Sequence, residues 1–107
     1  MVNRKRLVDS FVNLIKIDSL SKQERQMADE LKSILEGMGF SVYEDNAGEK
    51  IEGNAGNLIC TVKGSKDVPP ILLMAHMDTV TPGKGKTPVI EDGIIKSDGT
   101  TILGGDD

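Results

Sequence analysis

His76 is the only histidine of the chain, and Asp78 follows it by two residues. In an extended segment, residues two apart project from the same side. An imidazole so placed can bind a metal through one ring nitrogen, while the carboxylate holds the proton on the other and raises the ligand's basicity. The same pair also suits a plainer role, a hydrogen-bonded histidine beside a buried strand. A second constellation is Gly104-Gly105-Asp106-Asp107. Glycines let the backbone turn sharply before a carboxylate, and an Asp with two free oxygens can bridge two cations. A solvated acidic turn has the same composition.

Two further signals are set aside. Gly85-Lys86-Thr87 ends like a phosphate-binding loop, but Val80 stands where that loop needs glycine and Pro88 where its helix should begin. Cys60 lies among apolar residues in a strand-like stretch, the setting of a buried structural thiol.

The elements that must hold His76 and Asp78 follow from apolar spacing. Leu7, Phe11, Leu14 and Ile15 recur at three- and four-residue intervals and predict a helix over residues 3–17. Ser21 and Glu24 form a capping-box pattern, and Met27, Ala28, Leu31, Ile34, Leu35 and Met38 keep the helical period behind it. Gly37 and Gly39 can close this second helix, with Phe40 placed for the apolar contact that accompanies such a stop. A short strand is expected over 40–44, a loop over 45–56 and a second strand over 58–62. After Pro69 and Pro70, residues 71–75 form an unbroken apolar run that predicts a central strand covered on both faces. His76 would then stand at its carboxyl end, where α/β sheets collect their ligand sites. Asp92-Gly93 between two apolar pairs predicts a tight hairpin. The expected fold class is α/β, two helices packed on a sheet that contains 58–62 and 71–75.

Composition narrows the partners. With 13 Lys+Arg against 17 Asp+Glu, a net charge of −4, two Phe, one Tyr and no Trp, the chain lacks the basic and aromatic surface of a nucleic-acid binder. Apolar residues make up 37%, enough to require some core and to exclude a disordered chain. No apolar run approaches the roughly 18 residues of a membrane span. A lone cysteine and the absence of any Asn-x-Ser/Thr acceptor agree with a cytoplasmic location.

The stretch from Ile71 through His76-Met77-Asp78-Thr79-Val80, taken with Asp98-Gly99-Thr100-Thr101-Ile102-Leu103-Gly104-Gly105-Asp106-Asp107, resembles the start of the catalytic domain of M20-type zinc metallopeptidases. The closest resemblance is to the peptidase T-like, or tripeptide aminopeptidase, branch. It takes in the two leading helices, Gly39-Phe40 and Gly56-Asn57-Leu58-Ile59, and so nearly the whole chain from about Arg4. The chain departs from the tripeptidase pattern at Gly105 and Asp107, where that branch carries Ala and Asn, and keeps the carboxylate at Asp106.

The resemblance implies part of a three-layer α/β/α catalytic domain with a mixed sheet and a small hairpin. It implies that His76 binds one zinc, that Asp78 orients His76 as a residue of the catalytic machinery, and that Asp106 bridges two zincs per full-length subunit. Residues 1–107 would be the amino-terminal portion of the catalytic domain, with the remaining ligands, a Glu-Glu pair carrying the catalytic base and a lid domain lying beyond Asp107. The implied reaction is metal-dependent hydrolysis of short peptides in the cytoplasm, without nucleic-acid or membrane partners. A homodimer is the assembly considered for the full-length form. One histidine and one aspartate fall short of the three protein ligands a catalytic zinc needs, so the chain alone is expected to be inactive. Two alternatives stay open: a non-catalytic α/β interaction domain on the same scaffold, and an M20 amidohydrolase acting on acylated amino acids.

Overall fold

The computed structural model describes residues 1–105. Helix α1 spans Arg4–Ile15 and helix α2 spans Arg25–Gly37, in keeping with the apolar spacing of both segments. Asn3 caps α1, its side-chain oxygen accepting from the Arg6 N–H at 3.0 Å. At the far end of α2, the Phe40 N–H donates to the Leu35 carbonyl at 3.1 Å and the Gly39 N–H to Glu36 at 2.9 Å. Those two bonds, with Gly39 at φ +88°, are the paired closure of a Schellman motif.

The expected capping box does not form. Glu24 occupies the N-cap of α2 without a side-chain bond to the helix, and its carboxylate accepts instead from the Lys22 N–H at 2.7 Å. The Ser21 hydroxyl is drawn away to Asp78, a partner 57 residues along the chain. The helix starts three residues later than the pattern predicts, with Glu24 at its N-cap, and Ser21 is left outside it.

Strand β1, Val42–Glu44, pairs antiparallel with β2, Leu58–Cys60, in a register that sets Val42 opposite Cys60 and Glu44 opposite Leu58. Between them the expected loop contains a single helical turn, α3, over Ala47–Lys50. Gly56 lets the loop close on itself: a Cβ there would lie 1.9 Å from the Asp45 carbonyl oxygen. The hairpin is as expected, with β3 over Pro88–Glu91, β4 over Ile94–Ser97, and Asp92 and Gly93 at φ +51° and +76° in the turn.

The α/β composition holds, but the strands form two separate two-stranded antiparallel sheets, not one mixed sheet. Residues 71–75 are not a strand in this structure. Ile71, Leu72, Leu73 and Met74 are each at least 80% exposed, and no described strand lies beside them. An apolar run declares that a segment can be buried; a strand also needs a neighbour placed to pair its backbone N–H and C=O groups, and none of the described strands is so placed. The expected helix-on-sheet core is correspondingly small. Ile15 and Ala28 are its buried apolar residues among those described. The radius of gyration, 15.6 Å, exceeds the roughly 13 Å of a closed domain of about 100 residues.

Candidate functional site

His76 and Asp78 meet without the central strand. The imidazole Nδ1 lies 2.7 Å from the Asp78 carbonyl oxygen and 3.1 Å from its carboxylate Oδ1. Both neighbours of Nδ1 are acceptors, so Nδ1 carries a proton. The pair is half-exposed, at 56% for the His76 side chain and 39% for that of Asp78.

What positions the pair is a clasp between residues 19–21 and 77–79. Thr79 donates its N–H to the Ser19 carbonyl at 2.7 Å, and Leu20 and Thr79 form a parallel bridge. The Ser19 hydroxyl, fully buried, donates to the Met77 carbonyl at 2.8 Å. Ser21 completes the series by donating to Asp78 Oδ2. Three consecutive residues of the α1–α2 connection therefore hold three consecutive residues around Asp78. The Ser21 hydroxyl keeps the Asp78 carboxyl below the usual carboxylate range; burial opposes that shift, and His76 adds to it.

A turn over residues 83–86 braces the same connection. Lys86 is buried, and its ammonium donates to the Gly83 carbonyl at 2.8 Å and the Ile17 carbonyl at 3.4 Å. The Gly85 N–H donates to Asp18 Oδ1 at 2.8 Å. The lysine that looked like part of a phosphate loop is thus a tether, with its cation between the Gly83 carbonyl of its own turn and the Ile17 carbonyl just past the end of α1.

Behind the site, α2 is fixed to β1 by Arg25. Its guanidinium meets both Glu44 oxygens, at 2.7 and 2.9 Å, while Nε donates to Asp29 at 2.9 Å. Glu44 also accepts the Gly56 N–H at 3.0 Å. The Arg25 guanidinium, followed by that N–H, lowers the Glu44 carboxyl from 4.5 to about 2.

Asp106, the expected bridging ligand, lies outside the described residues, as does Asp107. The segment leading to it does reach the site. Gly104 and Gly105 line, together with His76, Asp78 and Thr79, an open cavity of about 400 Å³. Among the described residues no group of three or more His, Cys, Asp or Glu is assembled for a metal ion. The donor chemistry of His76 nonetheless fits zinc: an imidazole with Nδ1 held by carboxylate and carbonyl oxygens is the usual state of a zinc-binding histidine. Cys60 sits half-buried in β2 as a free thiol.

The Ser19, Ser21 and Lys86 contacts and the Arg25–Glu44 pair escape a reading of the sequence. The alternation Asp18-Ser19-Leu20-Ser21 is the one local hint that this connection is extended and offers two hydroxyls to one side.

No family model matches the chain. It is 46% identical to a solved structure of aminopeptidase PepT from Bacillus cereus, covering 99% of this chain and 29% of that one with a TM-score of 0.93. A tripeptidase structure from Staphylococcus aureus gives 42% identity, a TM-score of 0.94, and coverage of 100% and 29%. Over nearly its whole length the chain matches PepT-type peptidases of the M20 family in sequence and fold. The same span is 49% identical over 107 residues to the YqjE protein of Bacillus subtilis, 100% of this chain and 29% of that protein. A succinyl-diaminopimelate desuccinylase from Novosphingobium aromaticivorans is 32% identical over 74 residues, 69% of this chain and 20% of that enzyme. The chain thus spans 29% of the length of the first relatives it matches. None of its described helices is long and apolar enough to cross a membrane.

Proposed function

We propose that the protein carrying this chain is a zinc-dependent peptidase that hydrolyses short peptides with a free amino terminus, and that His76 is one of its zinc ligands. The observation that carries the reading is the His76–Asp78 contact, in a chain whose solved neighbours are an aminopeptidase and a tripeptidase. His76 would offer Nε2 to the metal. Asp78 would keep the proton on Nδ1 and hold the ring plane, a positioning role within the catalytic machinery. Asp106, reached through Gly104 and Gly105, would bridge to a second zinc. Bound zinc would polarise the scissile carbonyl and acidify a water molecule. The clasp between 19–21 and 77–79 keeps His76 on the open cavity while the imidazole stays half-exposed.

Residues 1–107 would form the amino-terminal part of the catalytic domain, working in the cytoplasm as part of a full-length subunit that can form a homodimer. Alone they would bind zinc weakly and hydrolyse no peptide, for lack of a full ligand set and a catalytic base.

The second reading is hydrolysis of an acylated amino acid, favoured by the match to the desuccinylase. The peptidase matches cover 99% and 100% of the chain at higher identity, and they weigh more. The test is turnover of a tripeptide against an N-succinyl amino acid by the full-length protein, before and after zinc removal. Zinc-dependent tripeptide hydrolysis with the larger kcat/KM is expected. Faster cleavage of the succinyl substrate, or turnover indifferent to chelation, would overturn the proposal.

A further inference from the structure

Ser21 lies three residues before Glu24, the N-cap of α2, in the connection that follows α1. Its hydroxyl donates to Oδ2 of Asp78, whose other oxygen, Oδ1, faces Nδ1 of His76 at 3.1 Å. That bond joins the α1–α2 connection to a residue 57 positions away, at the site where the chemistry is expected.

From this geometry we infer that Ser21 is a positioning residue for His76, acting through the Asp78 carboxylate. The backbone of residues 77–79 is already fixed by Ser19, through the Thr79 N–H and the Met77 carbonyl. That leaves the Asp78 side chain with its own rotations, which the backbone clasp does not restrain. A carboxylate that is 39% exposed has water as a ready competitor for both oxygens. Ser21 removes that freedom by anchoring Oδ2, and the anchored carboxylate presents Oδ1 to the imidazole. The Nδ1 proton is then shared between the Asp78 carbonyl, at 2.7 Å, and a charged oxygen that strengthens the donor properties of Nε2. Loss of the hydroxyl would leave the carbonyl contact and free the carboxylate. The α1–α2 connection would thereby set the orientation of the imidazole through the Asp78 carboxylate.

The inference rests on the zinc reading only for what the imidazole serves, and its test needs no metal. In the NMR spectrum of the full-length protein, the imidazole signals of His76 are those that His76→Gln removes. In metal-free protein the Asp78 χ1 couplings should report one rotamer, and the Nδ1 proton should resonate far downfield. Ser21→Ala should average the rotamer and move that proton upfield with faster exchange, and Ser21→Thr should restore both. Ser21→Cys, close in size and a far weaker donor, gives the same readout if the alanine variant is unstable. A wild-type chain lacking the Nδ1 proton, or a Ser21→Ala chain with the wild-type rotamer and proton shift, would overturn the inference. Zinc titration of the full-length protein then separates the two claims. A loss of affinity of about 10-fold in Ser21→Ala supports the link to the metal. Absence of zinc binding in the wild type removes the zinc reading, while the metal-free spectra still decide the role of Ser21.

Discussion

Arg25 and Glu44 form a two-pronged ion pair, Nη1 to Oε1 at 2.7 Å and Nη2 to Oε2 at 2.9 Å, that binds the first turn of α2 to the last residue of β1. Such geometry is the strong form of a charge-assisted bond, and the Glu44 side chain is only 21% exposed. Its carboxyl titrates near 2 in the folded chain against 4.5 ordinarily, so the folded state binds the proton more weakly than the unfolded one. The stabilisation is therefore complete above pH 4.5 and fades as pH falls towards 2. Glu44→Gln should cost roughly 1–2 kcal/mol at neutral pH and flatten this acid limb. Urea unfolding followed from pH 6 to about 2 checks both. An unchanged acid limb would show that the pair contributes nothing.

Gly56 and Gly64 should respond oppositely to alanine. At Gly56 the new methyl would meet the Asp45 carbonyl oxygen at 1.9 Å, backbone that cannot swing aside. A loss of roughly 2–4 kcal/mol is expected, because both the β1–β2 closure and the Glu44 contact to the Gly56 N–H must shift. Gly64 has open space and ordinary φ, so Gly64→Ala should be neutral or stabilising by up to about 1 kcal/mol. Thermal melts of the two variants make the comparison.

Lys86→Met keeps the buried stem and removes the ammonium that holds the Gly83 and Ile17 carbonyls. The two carbonyls lose a charged donor, and a cost of roughly 1–3 kcal/mol is expected. Hydrogen exchange should then speed up at the Gly85 N–H, whose bond to Asp18 shares the same turn. Wild-type protection in the variant would make the lysine dispensable to the turn.

The helices and the hairpin were legible because their signals are local. The period of Leu31, Leu35 and Met38 and the turn chemistry of Asp92-Gly93 each specify a structure within a few residues. The His-x-Asp spacing was legible for the same reason. Its support was not: Ser21 reaches Asp78 across 57 residues and Arg25 reaches Glu44 across 19, and neither separation leaves a mark in a single sequence. The run at 71–75 misled in the opposite way. Its residues describe a strand buried on both faces, yet in the described structure they meet no partner strand and stay exposed. Apolar pattern measures what a segment could bury, and pairing depends on what lies beside it.

Zinc binding to the full-length protein, measured by calorimetry for the wild type, His76→Ala and Asp78→Ala, tests the central claim most directly. If His76 is a ligand held by Asp78, His76→Ala should lose at least one zinc per subunit together with most peptidase activity, and Asp78→Ala should weaken zinc binding by roughly 10–100-fold. Wild-type zinc stoichiometry and affinity in His76→Ala would contradict it.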